Sequence, residues 1–173
     1  MKKTRILSLL LVAAMCLALC ACAGEKTPDA DPSQDPVERD YVQIITDARG
    51  EGETTPIMTT DTEDDPTEKE MTFALLGFTP EDTEGYGVSI SLMNVRAYAI
   101  VAVKPAEGKE DTVREGLENY IEAQKGSFEF YLEDQYEIAS NAKLETLDDG
   151  TMVLVMCEGQ DGVFESIKAA LEA

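Results

Sequence analysis

Histidine and tryptophan are absent from the 173-residue chain. The absence of histidine removes Ser-His-Asp and Cys-His catalysis, histidine-containing zinc sites and imidazole acid-base chemistry. Carboxylates remain, but with 35 acidic residues almost any two can be paired on paper, so such a pair carries little information. We therefore expect a protein that is not an enzyme, and we assign no catalytic, cofactor-binding or metal-binding residue and no cofactor.

Positive charge is also scarce, because 14 lysines and arginines face 35 acidic residues and leave a net charge of −21. A chain of this charge is repelled by phosphodiesters, which excludes sequence-independent binding to nucleic acid. Attachment to anionic lipid by charge alone is excluded for the same reason. Any membrane contact must therefore have another physical cause.

The first residues are typical of a secretory signal peptide. A cationic start, Met1–Arg5, precedes an apolar run from Ile6 to Leu19. The run is shorter than the ~20 residues that a spanning helix needs, so a permanent transmembrane helix is the weaker interpretation. We predict a signal peptide over residues 1–21.

The residues that follow are Leu19-Cys20-Ala21-Cys22. They resemble the lipobox of bacterial lipoproteins, which has an aliphatic residue at −3, a small residue at −1 and the lipidated cysteine at +1. Cys16 and Cys20 follow bulky residues, so Cys22 is the predicted lipidation site. The alternative is an ordinary secreted protein cut at an A-x-A-like site, but lipidation gives the thiol at the cut site a role.

The lipobox resemblance implies a diacylglycerol on the Cys22 sulfur, whose two chains suffice for stable anchoring. Cleavage would remove three basic residues and no acidic one, which lowers the net charge to −24. The expected location is the extracytoplasmic face of the cell membrane, with the lipid on Cys22 as the membrane contact. Cys157 would be the remaining thiol, and its apolar context, Val153–Cys157, favours a buried strand residue over a nucleophile.

Residues 22–70 are predicted to be the lipidated cysteine and a disordered tether. Low hydrophobicity and high charge are typical of segments that cannot offset their ordering entropy, and this one holds five of the seven prolines. An apolar island, Tyr41–Ile45, either adds to a sheet edge or a partner or is unstructured, and we favour the second. The acidic clusters Asp29–Asp31 and Asp61–Asp65 do not fit an EF-hand loop, so we expect at most weak, nonspecific cation binding there.

Residues 71–173 are predicted to form one α+β domain: a small antiparallel sheet of about four strands with helices packed mainly on one face. Arg96–Lys104 is apolar on both faces, which suits a central strand. Asp148-Asp149-Gly150 between two apolar runs predicts a hairpin turn. Asp161 is the predicted cap of a last helix. Tyr120, Tyr131 and Tyr136 either line a binding groove or pack on the sheet, and we favour packing.

Several of these segments resemble a known family. They are Tyr86–Val95, Ala99–Lys104, Gln124–Tyr131, Asp134–Ala139 and Gly150–Met156 with the amphipathic helix that follows. Together they are similar to the Firmicutes-type lipoproteins that carry the domain of unknown function 4358, over roughly Leu75 to Ala170. The resemblance implies a small envelope lipoprotein, and it brings no active-site residue with it.

The function that we expect from the sequence is a non-enzymatic binding or docking module on the outer face of the membrane. Its partner would be an envelope protein or a small ligand that the sequence does not specify. Two alternatives stay open at this stage. One is a hydrolase that uses carboxylates to cleave cell-envelope glycan, and the other is an accessory solute-binding lipoprotein.

Overall fold

The computed structural model describes residues 39–60 and 63–173. The predicted signal peptide, Cys22 and the first part of the tether lie outside the described residues. The described residues contain a five-stranded antiparallel sheet and five α-helices, so the predicted α+β class is confirmed. None of the helices in these two ranges is long and apolar enough to cross a membrane.

The elements follow one another along the chain with short connections. The helices are α1 (Tyr41–Ala48), α2 (Pro66–Leu76), α3 (Glu110–Phe128), α4 (Glu133–Ser140) and α5 (Gln160–Leu171). The strands are β1 (Met58–Thr59), β2 (Thr83–Ile90), β3 (Ala99–Pro105), β4 (Lys143–Thr146) and β5 (Met152–Met156). A 3-10 turn, Pro80–Asp82, leads into β2.

The strand order is β1-β2-β3-β5-β4, with β3 in the centre as its two-sided apolar sequence predicts. Ala99 pairs with Ile90 of β2 and with Met156 of β5, and these residues define one end of the sheet. We call it the loop end. The opposite end carries Pro105 of β3 and the turn between β4 and β5.

Both faces of the sheet are covered by helices. One face, with Val101 and Leu154, packs against α2, α3 and α4. The other face, with Ile100 and Val155, packs against α1 and α5. The prediction of helices mainly on one face is therefore incomplete, because α1 and α5 build a second layer. The reason is that β3 and β5 are apolar on both sides and leave neither face for water.

The predicted boundary of the folded domain at residue 71 is wrong, because α1 and β1 lie before it. Tyr41 and Ile45 form the buried side of α1, and Asp40 caps that helix by accepting a hydrogen bond from the Gln43 N–H at 2.9 Å. The interpretation of Tyr41–Ile45 as unstructured is also wrong. Five residues are too few to display a helical period, so their amphipathic character appears only with Ala48 included.

Gly87 of β2 allows α1 to approach the sheet closely. A Cβ atom added at Gly87 would lie 2.6 Å from the Tyr41 Cβ and 3.0 Å from the Ile45 Cδ1. Any side chain at residue 87 would therefore displace the helix. The contact ties a residue of the predicted tether to a strand in the middle of the chain.

The C-terminal elements agree with the sequence in most respects. The hairpin of β4 and β5 turns at Asp148-Asp149-Gly150 as predicted, with Gly150 at φ +84°. The predicted capping role of Asp161 is wrong, because Gly159 is the N-cap of α5 and Asp161 lies in its first turn. The Asp161 carboxylate instead pairs with Lys143 at 2.9 Å.

Candidate functional site

Two loops lie at the loop end of the sheet. Residues 91–98 join β2 to β3, and residues 129–132 join α3 to α4. The second loop reaches this end because α3 starts beyond the far end of β3 and runs back for ~28 Å, the length of its 19 residues. The Ala97 N–H donates to Gln135 Oε1 at 2.8 Å and so links the first loop to α4.

These loops expose large apolar side chains. Of the eight large hydrophobic residues that are exposed in the described ranges, five lie here: Leu92, Met93, Val95, Phe130 and Tyr131. Phe130 is 93% exposed and Tyr131 is 74% exposed. Single exposed apolar residues are ordinary, but several at one place mark interaction sites. We call these five residues the apolar surface.

The three tyrosines that the sequence suggested for a groove or for packing differ in burial. Tyr120 is buried in the core and burial raises its pKa to about 12, while Tyr136 packs against the core as a half-buried residue. Tyr131 does not pack on the sheet as we expected, because α3 ends at Phe128 and the stripe that predicted its burial stops there. The sequence signal that was available is the adjacent pair of aromatic residues, Phe130-Tyr131, directly after a helix.

An acidic rim lies beside the apolar surface. It consists of Glu129, Glu133, Asp134 and Glu137, all of them exposed. The nearest lysine in sequence, Lys125, pairs with Glu122 at 2.7 Å instead. Across the described ranges, no lysine or arginine forms an ion pair with any of these four carboxylates. The negative charge of the rim is therefore open to an external cation.

A polar cleft of about 380 Å³ lies on the α1 and α5 side of the loop end. It is lined from two directions, by the segment that follows α1 and by residues next to the strand ends. The lining residues are Arg49, Gly50, Glu51, Gly52, Glu53, Arg96, Tyr98, Cys157, Glu158 and Val163.

The pair of Arg96 and Glu53 holds the cleft together. The guanidinium of Arg96 lies over the Tyr98 ring, 4.5 Å from its centroid, and donates to the Glu53 carboxylate. Glu53 also accepts hydrogen bonds from the N–H and hydroxyl of Thr55, at 2.9 and 2.6 Å. Burial by itself would raise the pKa of Glu53, but the donors from Arg96 and Thr55 outweigh it and lower that pKa to about 2. These contacts fix the segment 49–55 against the sheet.

Cys157 forms part of the cleft wall and is 8% exposed. Burial, with a further contribution from the negative charge of Glu53, raises the pKa of its thiol to about 11. The thiol is therefore protonated at neutral pH and is a poor nucleophile. This agrees with the buried, packing role that the sequence favours.

Five carboxyl groups among the described residues have a pKa that is lower than its ordinary value. Hydrogen-bond donors hold the pKa below its ordinary value at Glu53, Asp65, Asp82, Asp134 and Asp149. A general acid needs the opposite, a carboxyl whose pKa is raised. Within residues 39–60 and 63–173, no three carboxylates or thiols are grouped closely enough to hold a metal ion.

Arg39, the first described residue, lies at the end of the sheet that is opposite to both loops. Arg39 donates to the Thr151 hydroxyl at 2.8 Å and to the Leu171 carbonyl at 3.1 Å, and it pairs with Asp149 at 2.7 Å. Asp149 and Thr151 belong to the β4–β5 turn, and Leu171 ends α5. We call this end the Arg39 end. The first described residue is thus fixed a full strand length away from the apolar surface.

Comparison with known families assigns the chain to one of them. The family model named Domain of unknown function (DUF4358) matches residues 58–157, which is more than half of the chain, and the chain belongs to that family. No curated protein and no solved structure matches the chain. The match contains both loops of the apolar surface. Residues 49–53, one wall of the cleft, precede it.

The Arg96–Glu53 pair predicts how stability depends on pH. The pKa of Glu53 is lower in the folded protein than its ordinary value of 4.5, so its contribution to stability is present above pH 4.5 and is lost between pH 4.5 and 2. We expect Glu53→Gln to lower stability at pH 7 by up to ~1 kcal/mol. The variant should also lose less stability than the wild type between pH 7 and pH 3.

Urea unfolding at pH 7 and pH 3 measures both quantities. Glu51→Gln is the matched control, because Glu51 is exposed and forms no ion pair within the described residues. Equal pH dependence in Glu53→Gln and the wild type would show that the pair does not stabilise the fold.

Proposed function

We propose that the protein is a lipid-anchored lipoprotein on the extracytoplasmic face of the cell membrane, and that its domain docks a partner through the apolar surface. The observation that carries the docking role is the clustering of five exposed apolar residues in two loops at the end of the sheet opposite to Arg39. Folding does not require these residues to be exposed together. Association with a partner would explain why apolar side chains are clustered at one place on the surface.

The proposed anchor follows from the sequence around Cys22. The cationic start, the short apolar run and the Leu19-Cys20-Ala21-Cys22 motif support cleavage before Cys22 and lipidation of its sulfur. The strongly negative charge supports the same proposal, since it disfavours electrostatic attachment to anionic lipid. The lipid would therefore provide the membrane contact.

A docking role has more support than hydrolysis by carboxylates. A hydrolase of that kind needs one carboxyl with a raised pKa facing a second one across a cleft. The cleft contains Glu51, Glu53 and Glu158, but the Glu53 carboxylate is ionised and accepts a hydrogen bond from Arg96. We therefore propose that the Arg96–Glu53 pair stabilises the segment 49–55 and takes no part in catalysis.

Lipidation is tested by metabolic labelling with a clickable palmitate analogue in the native host. We expect the wild-type protein to be labelled and Cys22→Ala to be unlabelled, because the thioether requires the Cys22 sulfur. Cys20→Ala is the matched control and should keep its label. Label that survives in Cys22→Ala would contradict the choice of cysteine.

Docking is tested by placing a photoreactive amino acid at Phe130 in the anchored protein and irradiating intact cells. We expect a protein adduct whose attachment site maps to one surface of one partner. The same amino acid at Met71, which is 51% exposed on α2, is the control and should give no such adduct. Adducts to lipid at residue 130, or no adduct there, would contradict docking through the apolar surface.

A further inference from the structure

We infer that the partner of the apolar surface is a protein whose contact region combines apolar side chains with a basic border. This inference rests on the proposed docking function and adds the chemistry of the partner. Glu129 lies beside Phe130 in the chain, and Glu133, Asp134 and Glu137 follow on the first two turns of α4.

The acidic rim lacks a cationic partner among the described residues, although Asp134 accepts a hydrogen bond from the Gln135 amide at 2.8 Å. None of its carboxylates forms an ion pair within the part of the chain that the structure describes, although seven other pairs occur there. Neither loop supplies a free base, because Arg96, the one basic residue in the segment 91–98, is paired with Glu53. The edge of a partner that covers Phe130 and Tyr131 would therefore lie against carboxylates that form no ion pair.

The same charges disfavour two other occupants. A membrane surface with anionic lipids would be repelled by the rim as its apolar residues approached the bilayer. A second copy of this chain would place like charges together across a two-fold contact, since such a contact uses the same patch on both subunits. Like charges across an interface cost free energy and suppress that pairing. A basic protein surface is the complement that remains.

Charge complementarity also predicts that apolar and charged residues contribute differently to binding. Large aromatic side chains at the centre supply most of the affinity, and border charges contribute orientation, association rate and salt dependence. Phe130 and Tyr131 are the two most exposed of the five apolar residues, and we expect them to supply the aromatic contacts, with Glu129, Glu133 and Glu137 as part of the border. Neutralising the border should therefore weaken binding at low salt and change little at high salt.

Two amphipathic peptides of equal length and identical leucine pattern serve as probes. One carries lysine at every polar position and the other carries glutamate. Their affinities for the lipid-free chain 23–173, which retains every described residue, are measured by fluorescence anisotropy at low and high salt. We expect the lysine peptide to bind more tightly, with a preference that decreases as salt is added.

Two sets of substitutions locate the binding, each with a control of equal size. The double variant Phe130→Ser with Tyr131→Ser should lower the affinity for the lysine peptide about tenfold. The control, Met71→Ser with Leu75→Ser, should change that affinity less than about twofold. Glu129→Gln with Glu133→Gln and Glu137→Gln should weaken it about fivefold at low salt. Neutralising three exposed acids near the Arg39 end, Glu107, Glu115 and Glu172, removes the same charge and should have a smaller effect.

The outcomes separate the inference from the proposed function. The glutamate peptide could bind as tightly as the lysine peptide, or the two sets of neutralised acids could lower the affinity equally. Either result would contradict a partner with a basic border and would leave the proposed docking function in place. If Phe130→Ser with Tyr131→Ser binds like the wild type, the apolar surface is not the contact and both proposals fail. Circular dichroism of each variant confirms that the fold is retained.

Discussion

The central strands have no polar face, and this constraint organises the whole domain. Ala99–Val103 of β3 and Met152–Met156 of β5 are buried on both sides of the sheet. A sheet of this kind is stable only when other elements, here helices, cover both of its faces. One helix, α5, does not complete the second layer, so the chain must supply α1 from the segment before the family match.

The position of α1 then determines the loop end. Gly87 lets α1 lie close to the sheet, and the helix begins beside Arg39 at one end and stops at Ala48 near the other. The next residues therefore cross above Tyr98 and Cys157, where Arg96 and Glu53 fasten them. The polar groups of the cleft are thus explained by folding. The exposed side chains of Phe130 and Tyr131 are not, and this contrast is why we assign the docking role to the apolar surface.

The sequence predicts those parts of the domain whose signals are local and repeated. The two-sided apolar run of β3, the Asp148-Asp149-Gly150 turn and the long amphipathic α3 are of this kind. It does not predict β1, because two residues carry no period, or the packing of α1, because that contact depends on a glycine some 40 residues away. The exposure of Tyr131 depends on where α3 ends, and helix ends are the weakest feature of any pattern. Lipidation of Cys22, outside the described residues, stays a prediction.

The most direct test of this account compares the chemical unfolding of residues 39–173 with that of residues 58–173, which lack α1 and the segment 49–55. Burial of Tyr41 and Ile45 alone is worth about 3–6 kcal/mol, a large part of the 5–15 kcal/mol typical of a domain. The account predicts that the longer chain unfolds in one cooperative transition and that the shorter chain loses that cooperativity or most of its stability. Equal stability of the two chains would contradict it.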